Sequence, residues 1–385
     1  MKPDYSNAGL VNLMASIYNA VGYPIDSYPS LGVMDEYQIG KSRNIVFMLM
    51  DGLGYEYVKQ QGANSYIEKN TCARLSSVFP TTTSSALTTL ASGLAPQQHA
   101  VTGWFMYLKE LGMVSAILPF RARIGGETLS TCGVLLDDVI DIAMAMPRIT
   151  RKSTVVSQRN IVDSDYSLLA HQGAEKKGYT SLSEYFRHIY QTVMASDEAK
   201  YIYAYWPSFD EHCHVYGVDN PRTKTHFAQI DQQLEQLVSS LQGSDTTIVL
   251  TADHGLLDTN IESVINLDKY PNIMECLSLP LSGEPRTAYC NIRMNMAQQF
   301  ENRVLDQLSN YCDLHRSADL IAENYFGFGE VHPQLNNRIG DYVLLAKNNY
   351  VIKDRVLGEG DFSQIGVHGG LSDQELYVPL VVFQT

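Results

Sequence analysis

The chain has 385 residues, 45% of them hydrophobic and 18% charged, a balance that supports a large buried core and excludes a disordered or low-complexity protein. Its formal net charge is −14 and no basic stretch exceeds a few residues, which excludes an evident nucleic-acid-binding surface. An anionic substrate must therefore be drawn by local positive charge, such as a bound metal, and not by the global field.

The N-terminal MKPDYSNAGL lacks the basic and apolar regions of a signal peptide, and apolar runs such as IVFMLM and VPLVVF are too short to span a bilayer. Six cysteines without CxxC spacing fit a reduced, cytoplasmic protein. In chain order, Asn44–Met50 (NIVFMLM) reads as a fully buried strand, and DGLG after it as a sharp turn into a helix. The stretch FPTTTSSALTTLASG, Phe79 to Gly93, suits two roles. Its hydroxyls could cap a helix that starts near Thr83, or present a nucleophile at that helix's positive end. From Trp104 to about Asp165 periodicity is weak, and the stretch reads as an inserted lid (about 104–165). Tyr201–Tyr205 (YIYAY) and Thr246–Leu250 are two more buried strands. Between them His226–Leu241 has apolar positions at helical spacing and a stop at Gly243. Asn266 to about Tyr350 reads as a second, smaller insertion (about 266–350) with a turn and strand in PLSGEPRTAYCNI and a helix at Met296–Tyr311. There is no internal repeat.

Strand, helix and strand in this rhythm imply a mostly parallel sheet covered on both faces, with ligands at the carboxyl ends of its strands. The polar clusters fall at those ends. Asp51 follows the first strand, Asp210 and His214 follow YIYAY after a short turn, and Asp253 and His254 follow TIVLTA. His368 lies between flexible residues in GVHGGL. Carboxylates and neutral imidazoles are a mixed oxygen and nitrogen set that suits zinc or similar first-row metals. In FDEHCH, the Asp210 and His214 spacing lets both reach one ion from a helical turn or a tight loop, with Glu211 and His212 as alternative ligands. Each piece alone also has an ordinary reading as a turn, cap or loop; their joint occurrence is what points to a site.

The order DG, FPTTT, D-x-x-x-H, DHG, HGG resembles the alkaline phosphatase superfamily, and within it the type I phosphodiesterase/nucleotide pyrophosphatase family, over nearly the whole chain. The resemblance implies a single catalytic domain (1–385) of three-layer α/β/α form with a mostly parallel central sheet and inserted lid segments. It implies two divalent metal ions, zinc by default, with manganese suiting the same ligands. Asp210, His214 and His368 would hold one. Asp51, Asp253 and His254 would hold the other, with Thr83 as nucleophile and further oxygen ligand. Two ions close together clamp both ends of an in-line displacement. The implied activity is hydrolysis of a phosphodiester or pyrophosphate bond in a small phosphoester substrate, a nucleotide being one candidate, through a phospho-threonine intermediate. Phosphonoacetate hydrolysis, phosphomonoester hydrolysis and phosphomutase chemistry are the alternatives in the same superfamily.

One position departs from the pattern. Ala86 stands where the family often carries a phosphate-binding Asn, so the phosphoryl oxygen must be held by metals, by the Ser84 amide, by a serine hydroxyl or from the lid, where Lys109, Arg121 and Arg123 are candidates. No Arg or Lys lies within ten residues after Thr83, which tilts the reading from monoesters toward diesters and pyrophosphates. Tyr205 and Trp206 are aromatic candidates for stacking on a leaving group or for ordinary core packing, and Cys213 reads as packing alone.

Overall fold

The computed structural model describes residues 1–385. Its central sheet has seven strands, in the edge-to-edge order Thr71–Ser76, Tyr377–Gln384, Thr246–Thr251, Asn44–Met50, Lys200–Trp206, Lys152–Gln158 and Glu175–Tyr179. Asn44–Met50 lies parallel to both of its neighbours, as does Lys152–Gln158. Tyr377–Gln384 alone runs against the strands beside it. The three middle strands are buried at every residue. Strands of that kind need cover on both faces, which the helices of parallel crossovers supply. The fold is thus the mixed α/β class with a mostly parallel sheet that the strand and helix rhythm implies.

The covering helices follow from local sequence. Leu182–Met194 is capped by the Ser181 side chain, which accepts from the Glu184 amide, and it buries Tyr185, Phe186, Ile189 and Val193 on one stripe. Pro221–Ser240 starts at Pro221, ahead of the His226 expected from periodicity, because Pro221 is pre-set for the first helical position and the Asn220 side chain accepts from the Arg222 amide. The apolar stripe begins only in its second turn, so periodicity alone misses the start.

A second seven-stranded sheet is antiparallel throughout. It draws Phe105–Leu108, Met113–Ala116 and Arg121–Ala122 from the stretch 104–165, and Ser282–Glu284, Thr287–Cys290, Cys312–Arg316 and Tyr342–Ala346 from the stretch 266–350. The two sets join where Gly283 pairs with Phe105. A Cβ on Gly103 would sit 2.6 Å from the Gly283 Cα, so glycine there is a condition of the junction. The strand Lys152–Gln158, although within 104–165, belongs to the central sheet. The helix Ala297–Gln307, slightly shorter than the Met296–Tyr311 expected, drops Phe300 and Val304 into a small core shared with Cys312 and Leu344. The second sheet therefore carries its own apolar packing. No helix is long and apolar enough to cross a membrane.

Candidate active site

Strand register sets the site. Met50 pairs with Trp206, and Leu49 pairs with both Tyr205 and Thr251, so the three middle strands end level with one another. Asp51 is the next residue after the first of them, and Asp253 and His254 follow the third. The Gly52 amide and the His254 amide each donate to Asp253 Oδ1 at 3.0 Å, which stitches the DG turn to the DH turn. Gly255 lets the two turns pack closely: a Cβ there would lie 2.7 Å from the Gly54 Cα and 2.0 Å from the Gln374 carbonyl oxygen. Asp210 and His214 occupy one face of the helix Ser208–Tyr216, with His214 Nε2 3.0 Å from Asp210 Oδ2. His212, by contrast, turns away. Its Nδ1 meets the Ser208 carbonyl at 2.6 Å and its ring stacks on His226 at 4.1 Å. Glu211 faces the cavity but joins neither of the ligand groups described below.

The helix that begins at Thr83 runs to Ser92 and is buried along its whole length. No side chain caps it. The Thr81 hydroxyl donates to the Gly370 carbonyl at 2.8 Å and the Thr82 hydroxyl to Glu284 at 2.5 Å. The capping reading of FPTTT therefore fails, and the reason is competition from the second sheet and from the HGG loop. Thr83 Oγ1 lies 3.1 Å from His254 Nε2, while the Ser84 and Ser85 hydroxyls are buried with no partner. The amides of Thr83, Ser84 and Ser85 make no backbone hydrogen bond, as expected of a first helical turn.

Two groups of side chains could each hold a cation. Ligand atoms of Asp210, His254 and His368 lie within 4.8 Å of one another, as do those of Asp51, Asp253 and His254. His254 sits between the groups, its Nε2 3.5 Å from Asp51 and 3.3 Å from Asp253, and its ring stacks on His368 at 3.9 Å. The His214 and His368 ring centres are 5.2 Å apart. His214 joins neither group of three but touches Asp210 at 3.0 Å, and Thr83 touches His254 at 3.1 Å, so the six expected ligands and Thr83 lie beside one another.

The chemistry of these donors fits divalent metal. Nδ1 of His214, His254 and His368 faces a backbone carbonyl of Gly366, Gly255 and Thr81, at 2.7, 3.2 and 3.0 Å. A carbonyl only accepts, so Nδ1 carries a proton and Nε2 is the atom each ring offers to a ligand when neutral. One oxygen each of Asp51, Asp210 and Asp253 is buried without any hydrogen-bond partner. Buried carboxylates in that condition are paired or bind metal. Burial, and then repulsion from Asp253 and Asp210, push the Asp51 carboxyl well above its ordinary pKa, although the Tyr205 hydroxyl donates to it. Burial also opposes charge on Asp210, but the adjacent His214 outweighs it and holds this carboxyl below the usual range. The same contact, against the effect of burial, pushes His214 up to about 9. A cation at this pair competes with that proton for the same lone pair.

Asp51, Thr83, Asp210, His214 and His368 line a cavity of about 650 Å³ between the two sheets, and Asp253 and His254 lie buried behind them. Two of its lining residues escape sequence reasoning. Glu284, buried on the second sheet, accepts from the Thr82 hydroxyl and, at 2.6 Å, from the Trp104 amide, and burial raises its pKa to about 6. Lys353 ends the short strand Val351–Lys353. Of the cations expected to face the site, Arg123 is buried in ion pairs with Asp354 and Glu359 at 2.8 and 2.7 Å, and Lys109 meets Asn337 at the surface. Neither they nor Arg121 line the cavity. Tyr205 does, whereas Trp206 packs among Tyr179 and Tyr185 and donates to His226. Cys213 is a buried free thiol, as are Cys276, Cys290 and Cys312; Cys72 and Cys132 are exposed and free.

Comparison with known proteins bears on the fold and the family. Murine ectonucleotide pyrophosphatase/phosphodiesterase 5 superposes with a TM-score of 0.66 at 17% identity, covering 87% of each chain. An inactive threonine-to-alanine variant of the same murine protein, in complex with AMP, gives 0.65 at 16%, again covering 87% of each chain. Phosphonoacetate hydrolase from Sinorhizobium meliloti 1021, in complex with phosphonoformate, gives 0.63 at 16%, covering 89% of this chain and 90% of that one. At such identities the likeness is one of fold. No curated protein sequence matches this chain. The profile of the type I phosphodiesterase/nucleotide pyrophosphatase family matches residues 45–371, a span that contains every residue of the site. The chain belongs to the type I phosphodiesterase/nucleotide pyrophosphatase family, hydrolases of phosphoester bonds within the alkaline phosphatase superfamily.

Proposed function

We propose that the protein hydrolyses a phosphodiester or pyrophosphate bond of a small substrate in two displacements at phosphorus: Thr83 expels the leaving alcohol or phosphate, and water then releases the phosphorus, with its remaining substituent, from Thr83. The observation that carries this reading is the position of Thr83 Oγ1, at the start of a buried helix, 3.1 Å from His254 Nε2 and in the cavity that Asp51, Asp210, His214 and His368 also line. Asp210, His214 and His368 would hold one divalent ion and Asp51, Asp253 and His254 the other, zinc being the metal that best suits this donor set. When bound, such ions supply Lewis acidity that lowers the cost of negative charge on oxygen.

The chain's own groups do the rest. The helix start presents the free amides of Thr83, Ser84 and Ser85 to the phosphoryl oxygens, together with the positive end of the helix dipole. The unpartnered hydroxyls of Ser84 and Ser85 are the available substitutes for the Asn donor that Ala86 cannot provide. Glu284 fixes Thr82 through its hydroxyl and so holds the orientation of Thr83 beside it. The Tyr205 hydroxyl binds the second oxygen of Asp51 and leaves the first facing His254.

Zinc- or manganese-loaded protein tests the bond type. The expected result is that kcat/KM for bis(4-nitrophenyl) phosphate and for nucleotide pyrophosphates exceeds that for 4-nitrophenyl phosphate by about tenfold or more, equivalent to about 1.4 kcal/mol in the barrier. A clear preference for the monoester overturns the assignment.

A further inference from the structure

Among the side chains lining the cavity beside Thr83 there is one Lys and no Arg. That residue, Lys353, comes from a strand 270 positions further along the chain, since 353 − 83 = 270. It is half-buried, its Nζ lies 5.9 Å from the centre of the Phe105 ring, and it makes no ion pair within 4 Å. Its isolation has a structural cause. Asp354, the next residue, gives one carboxylate oxygen to Arg123 at 2.8 Å and the other to the Leu281 amide at 2.7 Å. Glu359 receives Arg123 on both oxygens, at 2.7 and 2.8 Å. Glu284 is engaged by Thr82 and Trp104. Each carboxylate whose field reaches Lys353 therefore already has a donor, and burial together with the Arg123 charge disfavours the ammonium. A partly desolvated cation kept without a counter-ion in a reaction cavity is costly unless an anion arrives with the ligand.

We infer that Lys353 is a specificity-determining residue that receives a second anionic group of the substrate, a phosphoryl or a carboxylate group separate from the phosphorus under attack. The inference rests on the proposed phosphoryl-transfer reading of the cavity and narrows it. Simple neutral-armed diesters are then weaker substrates than bonds that join the reacting phosphorus to a second charged group. Arg123 is the device that makes this possible, because it withdraws Asp354 and Glu359 from Lys353.

The test compares metal-loaded wild type, Lys353→Met and Lys353→Arg on three substrates. ATP carries further phosphoryl groups, phosphonoacetate carries a carboxylate, and bis(4-nitrophenyl) phosphate carries neither. Wild type is expected to favour ATP or phosphonoacetate over the diester. In Lys353→Met the preferred one should lose about tenfold or more in kcat/KM beyond the loss on the diester, chiefly through KM, with Lys353→Arg recovering most of it. Which of the two probes shows the effect identifies the anionic group. A binding measurement separates this inference from the covalent reading. Pyrophosphate and phosphonoacetate should raise the thermal midpoint of metal-loaded Thr83→Ala protein, and adding Lys353→Met should remove at least most of that shift. Equal losses on all three substrates, no loss on any, a wild type that favours the diester, or unchanged protection in the double variant each overturn the inference.

Discussion

Replacing Thr83 by Ala should reduce turnover of the metal-loaded protein by about 10³-fold or more, the order seen when a covalent nucleophile is deleted and only binding and charge stabilisation remain. The fold should survive. Thr83 is buried, but its hydroxyl has a single protein contact, to His254, and a net hydrogen bond of that kind is worth about 1 kcal/mol. Circular dichroism and metal content should match wild type, and Thr83→Ser should retain turnover because it keeps an oxygen at the same place. Neither Ser84 nor Ser85, both without partners, should rescue Thr83→Ala, since their hydroxyls do not contact His254. Full activity in Thr83→Ala would remove the chemical core of the proposal.

The largest effect on stability should come from Arg286→Met. Arg286 and Glu375 are both buried, and they pair through Nε to Oε1 at 2.7 Å and through the other guanidinium arm to Oε2 at 3.0 Å. Arg286 also donates to the Tyr350 carbonyl, and Glu375 accepts from the Gly370 amide and the Ser372 hydroxyl. The pair joins the second sheet to the segment that leads into Tyr377–Gln384, and it borders the HGG loop that carries His368. Removing the guanidinium leaves a buried, uncompensated carboxylate, which costs about 3–5 kcal/mol.

The pH dependence follows from the same contact. Burial opposes charge on Glu375, yet Arg286, Ser372 and the Gly370 amide hold its carboxyl below the ordinary value. A depressed folded-state pKa contributes stability above the unfolded value, about 4.3, and loses it as pH falls through the folded value. In Arg286→Met the largest lowering influence is gone, burial raises the pKa, and protonation relieves the variant. The difference in unfolding free energy between wild type and Arg286→Met, measured by denaturant titration, should therefore shrink as pH is lowered from 7 toward 4. A penalty that is small at pH 7, or that grows on acidification, would show that the pair does not hold the sheets together in this way.

Much of the site is legible in the sequence because parallel strands place chemistry at their ends. Asp51, Asp253 and His254 each follow a run of buried apolar residues directly, so finding the strand finds the ligand. Asp210 and His214 are equally readable, because a spacing of four on a helix puts both on one face. Glu284 and Lys353 are not readable in this way. They sit at the ends of three-residue strands, Ser282–Glu284 and Val351–Lys353, too short for alternation to register. Glu284 comes to the cavity because the strands from 105–122 and 282–346 close into one sheet, and Lys353 because Val351–Lys353 pairs with Val264–Asn266, non-local pairings that no local pattern encodes. Arg123 shows the reverse case. Position suggested a cation for the site, while the fold places it against Asp354 and Glu359. The hydroxyls of FPTTT mislead locally for the same reason: their partners Glu284 and Gly370 are about 200 and 290 residues away, and they outcompete the helix start.

The covalent step is open to one direct measurement. Metal-loaded wild type should be quenched with acid during turnover of a good substrate, digested, and its peptides sequenced by mass spectrometry. Thr83 should carry the substrate's phosphorus together with the ester arm that has not left, an adduct absent from Thr83→Ala and from protein quenched without substrate. Turnover without any such adduct, or with the adduct on Ser84 or Ser85, would contradict the assignment of Thr83 as nucleophile.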